Sequence, residues 1–183
     1  QGVSPMNGLA RLLPALAPLG SDAELGPDFA MVTVTHARLG EPAFGVAPGE
    51  AEIWATLRTL TSQKMAGLRA AAERIVRAVA QEDGLTLVLE DHDVFPHCEN
   101  APQAVERLAR AMDAEGVAHD AQNLPMRASE DFGRFRRHGP AAMFLLGAGE
   151  DHPGLHTPTY DFPDALIGIG ARVMMRTLRD LLG

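Results

Sequence analysis

"AEIWATLRTLTSQKMAGLRAAAERIVRAVAQEDGLTLVLE", residues 51–90, changes its apolar period twice, and those changes decide the fold class. Over 51–60 the side chains alternate as in a strand, with Ile53, Ala55 and Leu57 on one face and Trp54, Thr56 and Arg58 on the other. From 64 to 82 the apolar positions are Leu68, Ala72, Ile75, Val76 and Val79, and this i, i+4, i+7, i+8 spacing predicts a helix with one buried stripe. Gly84 ends that helix. Leu85, Leu87 and Leu89 then alternate through a further predicted strand.

Toward the N-terminus, "AMVTVTHA" (30–37) alternates in the same manner and reaches 51–60 through the Gly/Pro-rich "GEPAFGVAPGE" (40–50), so the two runs form a strand pair. Before them, a loop from about Gly20 to Asp28 follows a helix striped by Leu9, Leu12, Leu13 and Leu16. Ser4 and Pro5 supply its cap and a proline suited to the first helical position, while Pro14 should kink or end it. The order helix, strand, strand, helix, strand is that of a ferredoxin-like βαββαβ unit without its first strand. That strand is expected before Gln1.

A second block begins near Pro96. A helix starts at Asn100 to Pro102, with Val105, Leu108, Ala109 and Met112 as its buried stripe and Gly116 as its stop. A short helix is expected around Asp131 to Arg137. "AAMFLLG" (141–147) is a continuous apolar run of the kind found in strands buried on both faces. The loop 148–163 leads to a last helix, 164–182, with Ala165, Ile169 and Val173 inward. The expected fold class is α/β: a partial ferredoxin-like α+β domain over 1–95, followed over 96–183 by the C-terminal part of an α/β domain with too few strands to be complete.

Composition sets limits on the partner. Of 183 residues, 46% are hydrophobic and 22% charged, which suits a packed core, and the formal net charge of −8 disfavours a nucleic-acid backbone or an anionic membrane surface. No apolar run reaches the roughly 20 residues of a membrane span, and no basic segment with an apolar core opens the chain. The single cysteine, Cys98, excludes an internal disulfide and a Cys-rich zinc cage, and fits a cytoplasmic location. "DHDVFPHCE" (91–99) crowds Asp91, His92, Asp93, His97, Cys98 and Glu99, but alternation turns neighbours to opposite faces and no second half of a metal site accompanies them.

Four further stretches occur in a meaningful order: "GVAPGEAEIWATLRTL" (45–60), "FPHCENAP" (95–102), "MRASEDFGRF" (126–135) and "GLHTPTYDFPDALIGIGA" (154–171). Together they resemble the two-metal aminoacylase and carboxypeptidase family of metallopeptidases, most closely its hippurate-hydrolase-like amidohydrolases. The resemblance implies a catalytic α/β domain with two divalent metal ions, zinc, manganese or similar. It also implies a ferredoxin-like lid that makes a homodimer, and a small N-acyl amino acid or amide as substrate. It makes His156 the last metal ligand and places the other ligands and the general-base glutamate upstream of Gln1, so that the chain alone is expected to be inactive. It aligns Arg58 with an arginine suited to a substrate carboxylate, and brings Ser129, Glu130 and Asp131 to the pocket.

The residues by themselves leave other readings open. A lone loop histidine is ordinarily solvated or hydrogen-bonded. Arg58 also suits a solvent-facing strand position paired with a carboxylate. Glu130 and Asp131 are alternatively first-turn helix charges with Ser129 as the cap, a structural role favoured for Asp131. Two positions depart from the family pattern: Gly45 stands where an asparagine is common, and Ala55 where glycine is usual. A non-enzymatic dimerisation or ligand-binding module from a degenerate relative is the alternative to the enzyme.

Overall fold

A computed structural model describes residues 2–21 and 24–183; Gln1 and part of the expected loop, positions 22–23, lie outside the described residues. The chain divides into two compact units, one running to His97 and including Pro125–Asp131, the other comprising Cys98–Leu124 and Phe132–Gly183.

In the first unit, α1 (Met6–Leu16) continues into a 3-10 turn at Ala17–Leu19, β1 (Ala30–Leu39) pairs with β2 (Ala51–Thr59), and α2 spans Ser62–Glu82. Pro14 does not end α1, which runs two residues beyond it. The strands are antiparallel, from Ala30 opposite Thr59 to Leu39 opposite Ala51, with an irregularity between Val34 and His36. Gly40 turns the chain with φ +55° and donates its N–H to the Glu50 carbonyl at 3.0 Å. Neither face of the pair is fully covered: Ile53 and Leu57 on one, Thr56 and Arg58 on the other, are all half-buried. Thr61 caps α2 by accepting the Lys64 N–H at 3.2 Å, the cap that a threonine before an apolar stripe provides. Leu68 and Val79 of the expected stripe are buried, with Ala80 beside them.

Helix α1 lies against α2. Gly8 permits the approach, since a Cβ there would stand 2.9 Å from Leu85 Cδ1 and 3.6 Å from Val79 Cγ1. At the far end of α2, Arg11 forks to Glu82 and Asp83, both at 2.7 Å. After Gly84, with φ +63°, the expected strand over 85–89 forms no ladder. Leu85 and Leu87 are half-buried, whereas Val88 is 75% exposed. A strand is held by its neighbour's backbone, and among the described residues none pairs with this run.

In the second unit, α3 (Pro102–Ala114) packs on α4 (Ala165–Leu182). Pro102 occupies the first position of α3, where its missing N–H costs nothing. Gly116, with φ +66°, lets the Val117 N–H return to the Met112 carbonyl at 2.8 Å, closing the end of the helix. The core is small: Ala111 and Val173 are fully buried and Met112 nearly so, with Phe144 and Val117 against them.

Two expectations are corrected in this unit. Val105 and Ala165 are exposed rather than inward, because the helices bury each other around Ala111 and Val173 and nothing among the described residues of the unit covers the other ends. The expected short helix is present, as a 3-10 helix over Asp131–His138. The run 141–147 joins no sheet, again for want of a partner strand. Among the described residues, no helix is long and apolar enough to cross a membrane.

Candidate functional site

Arg58 sits on β2 opposite Met31 of β1, half-buried, and reaches the segment 125–131 of its own unit. Its Nη1 donates to the Arg127 carbonyl at 3.0 Å and to Ser129 Oγ at 2.8 Å. Arg127 in turn lies over the Phe29 ring, 5.5 Å from its centre, which steadies the segment against the buried residue that precedes β1. Among the described residues Arg58 pairs with no carboxylate, so the reading of a strand arginine in a surface ion pair does not hold. Nε and Nη2 of the same guanidinium have no protein partner there. Two donors of a planar fork, next to a serine hydroxyl, have the geometry to hold a planar carboxylate by parallel hydrogen bonds.

Ser129 is therefore occupied by Arg58. One of its two lone pairs is used, and its own proton remains available to donate. Glu130 follows it and is exposed. Asp131 is the first residue of the 3-10 helix, where the positive end of the peptide dipoles favours a carboxylate. The structure thus brings Arg58 and Ser129 together and puts Asp131 in a structural place.

His156 belongs to the second unit. It occupies a turn in which Thr157 donates both its N–H (3.3 Å) and its hydroxyl (2.8 Å) to the Gly154 carbonyl. Closing that turn puts His156 at φ +67°, a left-handed backbone uncommon for a residue with a side chain. The imidazole is exposed and has no protein partner among the described residues. Nearby, His152 meets the edge of Tyr160 with ring centres 5.2 Å apart, so Tyr160 packs on its own loop. Among the described residues no group of three or more His, Cys, Asp or Glu side chains can hold a metal ion. His156 suits one ligand position, and the residues present do not make a metal centre.

The crowded stretch 91–99 separates into ordinary contacts. Arg69 holds Asp91 at 2.6 Å, an ion pair that raises the arginine's pKa, and His92 lies 3.3 Å from Glu90. His97 Nδ1 takes the Ser62 N–H at 3.3 Å, and the His97 N–H reaches Ser62 Oγ at 3.1 Å, so this histidine caps α2 from a distance. The role of Arg127 was not expected from the sequence. Arg58 and the loop lie 69–71 residues apart, and no local pattern reports such a contact.

Residues 10–180 match the model of peptidase family M20/M25/M40. The N-acetyldiaminopimelate deacetylase of Streptococcus thermophilus is 30% identical over 110 residues, 59% of this chain and 29% of that protein. Thermostable carboxypeptidase 1 of Saccharolobus solfataricus is 24% identical over 116 residues, 63% of this chain and 29% of that protein. The chain thus spans under a third of the length of these curated relatives. Its fold matches that of the Bacillus subtilis YXEP protein, described as a dinuclear metal binding peptidase, with a TM-score of 0.65 at 17% identity over 96% of this chain and 45% of that one.

Proposed function

The chain belongs to peptidase family M20/M25/M40, and from that membership we propose that it is the lid and C-terminal portion of a metal-dependent amidohydrolase of the hippurate-hydrolase-like kind, which cleaves the amide of an N-acyl amino acid or similar small amide. The observation that carries the substrate class is the Arg58 guanidinium, held by Arg127 and Ser129 through one nitrogen and open through the others. An N-acyl amino acid offers a planar carboxylate next to the scissile amide, and Arg58 with Ser129 grips it at two oxygens. The relative that removes an acetyl group from an acylated amino acid supports that choice.

In this reading residues 1–95 are the lid, a ferredoxin-like unit that pairs two subunits, and 96–183 complete the catalytic domain. A split βαβ unit keeps one strand between the two that a helix connects, so the run 85–90 awaits the strand expected before Gln1. His156 contributes one ligand to a pair of divalent ions, zinc, manganese or similar. The remaining ligands and the general base belong to sequence outside these residues, and the 183-residue chain alone does not hydrolyse. A cytoplasmic setting accords with a chain that carries a single cysteine, Cys98.

The test compares the product of the whole reading frame with the 183-residue chain on N-acetyl and N-benzoyl amino acids and on the same compounds with the carboxylate converted to an amide. The longer protein hydrolyses the acids with bound metal, prefers them to the amides, and loses that preference when Arg58 becomes Gln. Metal-dependent hydrolysis by the 183-residue chain overturns the division of the site, and equal rates on acids and amides overturn the substrate class.

A further inference from the structure

Trp54 is 58% exposed, although tryptophan is a residue that folding ordinarily covers for the most part, and its ring is nonetheless held. Its Nε1 donates to Glu52 at 2.6 Å. Glu52 lies 3.5 Å from Arg38 Nε, and Arg38 is itself paired with Glu50 at 3.0 Å and with Glu41. On β1, His36 stands opposite Trp54, and the two rings meet with centres 4.9 Å apart. The indole is thus fixed by contacts of its own unit while more than half of it stays open. A ring so fixed offers a flat apolar surface whose rotamer freedom is already lost, which lowers the cost of binding to it.

That surface lies on the same face of the strand pair as Arg58. Residues 54, 56 and 58 of β2 turn to one side, and opposite them on β1 stand His36, Thr33 and Met31. The strip therefore runs from an aromatic pair through a threonine pair to the guanidinium. Thr33 is exposed and Thr56 half-buried, so hydroxyls are offered midway. Four residues of strand separate Trp54 from Arg58, about 13 Å.

We infer that Trp54 and His36 form a subsite for an aromatic group of the substrate whose carboxylate Arg58 holds, and that the acyl part of that substrate is a short peptide with an aromatic cap. The inference rests on the proposed function for the carboxylate at Arg58 and on the strand for the distance. A benzoyl group on a single amino acid sets its ring about 6 Å from the carboxylate by standard bond lengths, short of the indole. Each further residue of an extended peptide adds about 3.3 Å, so the ring reaches the indole from a di- or tripeptide. There it stacks on the indole, and the threonine hydroxyls meet the peptide groups between.

Trp54 is the single tryptophan, so its fluorescence in the 183-residue chain reports the subsite. The probes are dansyl-glycine, dansyl-diglycine and dansyl-triglycine, each as the acid and as the C-terminal amide. The longer acids quench Trp54 saturably and bind about fivefold tighter than dansyl-glycine. Their amides bind at least about tenfold more weakly. Trp54→Leu, followed by directly excited dansyl emission, keeps the preference for acids and loses the preference for length. Circular dichroism confirms that its fold is unchanged, and Trp54→Phe, which retains a ring, keeps both preferences. Acid preference without length preference overturns the subsite and leaves Arg58 as the carboxylate fork of the proposed function. Equal quenching by acids and amides separates the indole from Arg58 and overturns the inference. Both preferences, with no metal-dependent hydrolysis of benzoyl-triglycine by the product of the whole reading frame, support the subsite and overturn the amidohydrolase.

Discussion

Replacing Arg58 with Met keeps the apolar stem against the strand pair and deletes the two bonds that hold the segment 125–131. Each is a hydrogen bond from a charged donor, worth about 1.5–3 kcal/mol when sheltered, and the exposure of Ser129 brings each toward about 1 kcal/mol. Their loss together costs about 2 kcal/mol of local docking, a factor of about 30 in the open population. Arg127 makes that population readable, because trypsin cleaves after it only when the segment opens. Where reclosing outpaces cleavage, the rate follows the open fraction. Cleavage after Arg127 should therefore rise about 30-fold in Arg58→Met and about fivefold in Ser129→Ala, which loses only one bond. The double variant should cleave no faster than Arg58→Met, since both changes remove the same contact. Unchanged cleavage in Arg58→Met, or a further increase when Ser129→Ala is added to it, refutes the claim that Arg58 organises the site.

Glu52 is held below the usual carboxylate range, first by the hydrogen bond from Trp54 Nε1 at 2.6 Å and next by the nearby Arg38, against some desolvation. A lowered folded value means that its contribution to stability is present above the unfolded value of about 4.3 and is lost as pH falls through the folded one. Fluorescence of Trp54, the single tryptophan, should titrate with a midpoint below the ordinary glutamate range and lose that step in Glu52→Gln. Val173→Ala removes two methyl groups from a fully buried site and should cost about 2–3 kcal/mol in thermal unfolding of the second unit, transfer and cavity included. Gly45 has φ +74° with open space around a Cβ, whereas a Cβ on Gly40, φ +55°, would stand 2.9 Å from Pro48 Cβ. Asparagine tolerates the left-handed region, so Gly45→Asn should leave the melting temperature nearly unchanged while Gly40→Asn lowers it.

The helices and the strands of this chain were not equally legible, and the reason is where their hydrogen bonds close. A helix satisfies its backbone within its own sequence, so apolar spacing and stop signals were enough to find α1, α2, α3 and α4, down to Gly84 after α2 and Gly116 after α3. Strands need a second segment. The runs 30–37 and 51–60 carry each other's partner and form a ladder. The alternating run 85–89 and the continuously apolar run 141–147 also read as strands and form no ladder, because an apolar pattern records which faces are buried and is silent on what lies at the edge. The site divides along the same line. The stretch around Ser129 was recognisable as a motif, but its contact with Arg58 spans 71 residues and is a product of tertiary packing. His156 was recognisable too, and its left-handed turn, closed twice onto Gly154, shows how the chain exposes an imidazole without burying it. Among the described residues no second and third candidate ligand stand beside it. Under the proposed function the lone imidazole and the two unpaired runs share one explanation, because the partners each requires would come from the rest of the amidohydrolase.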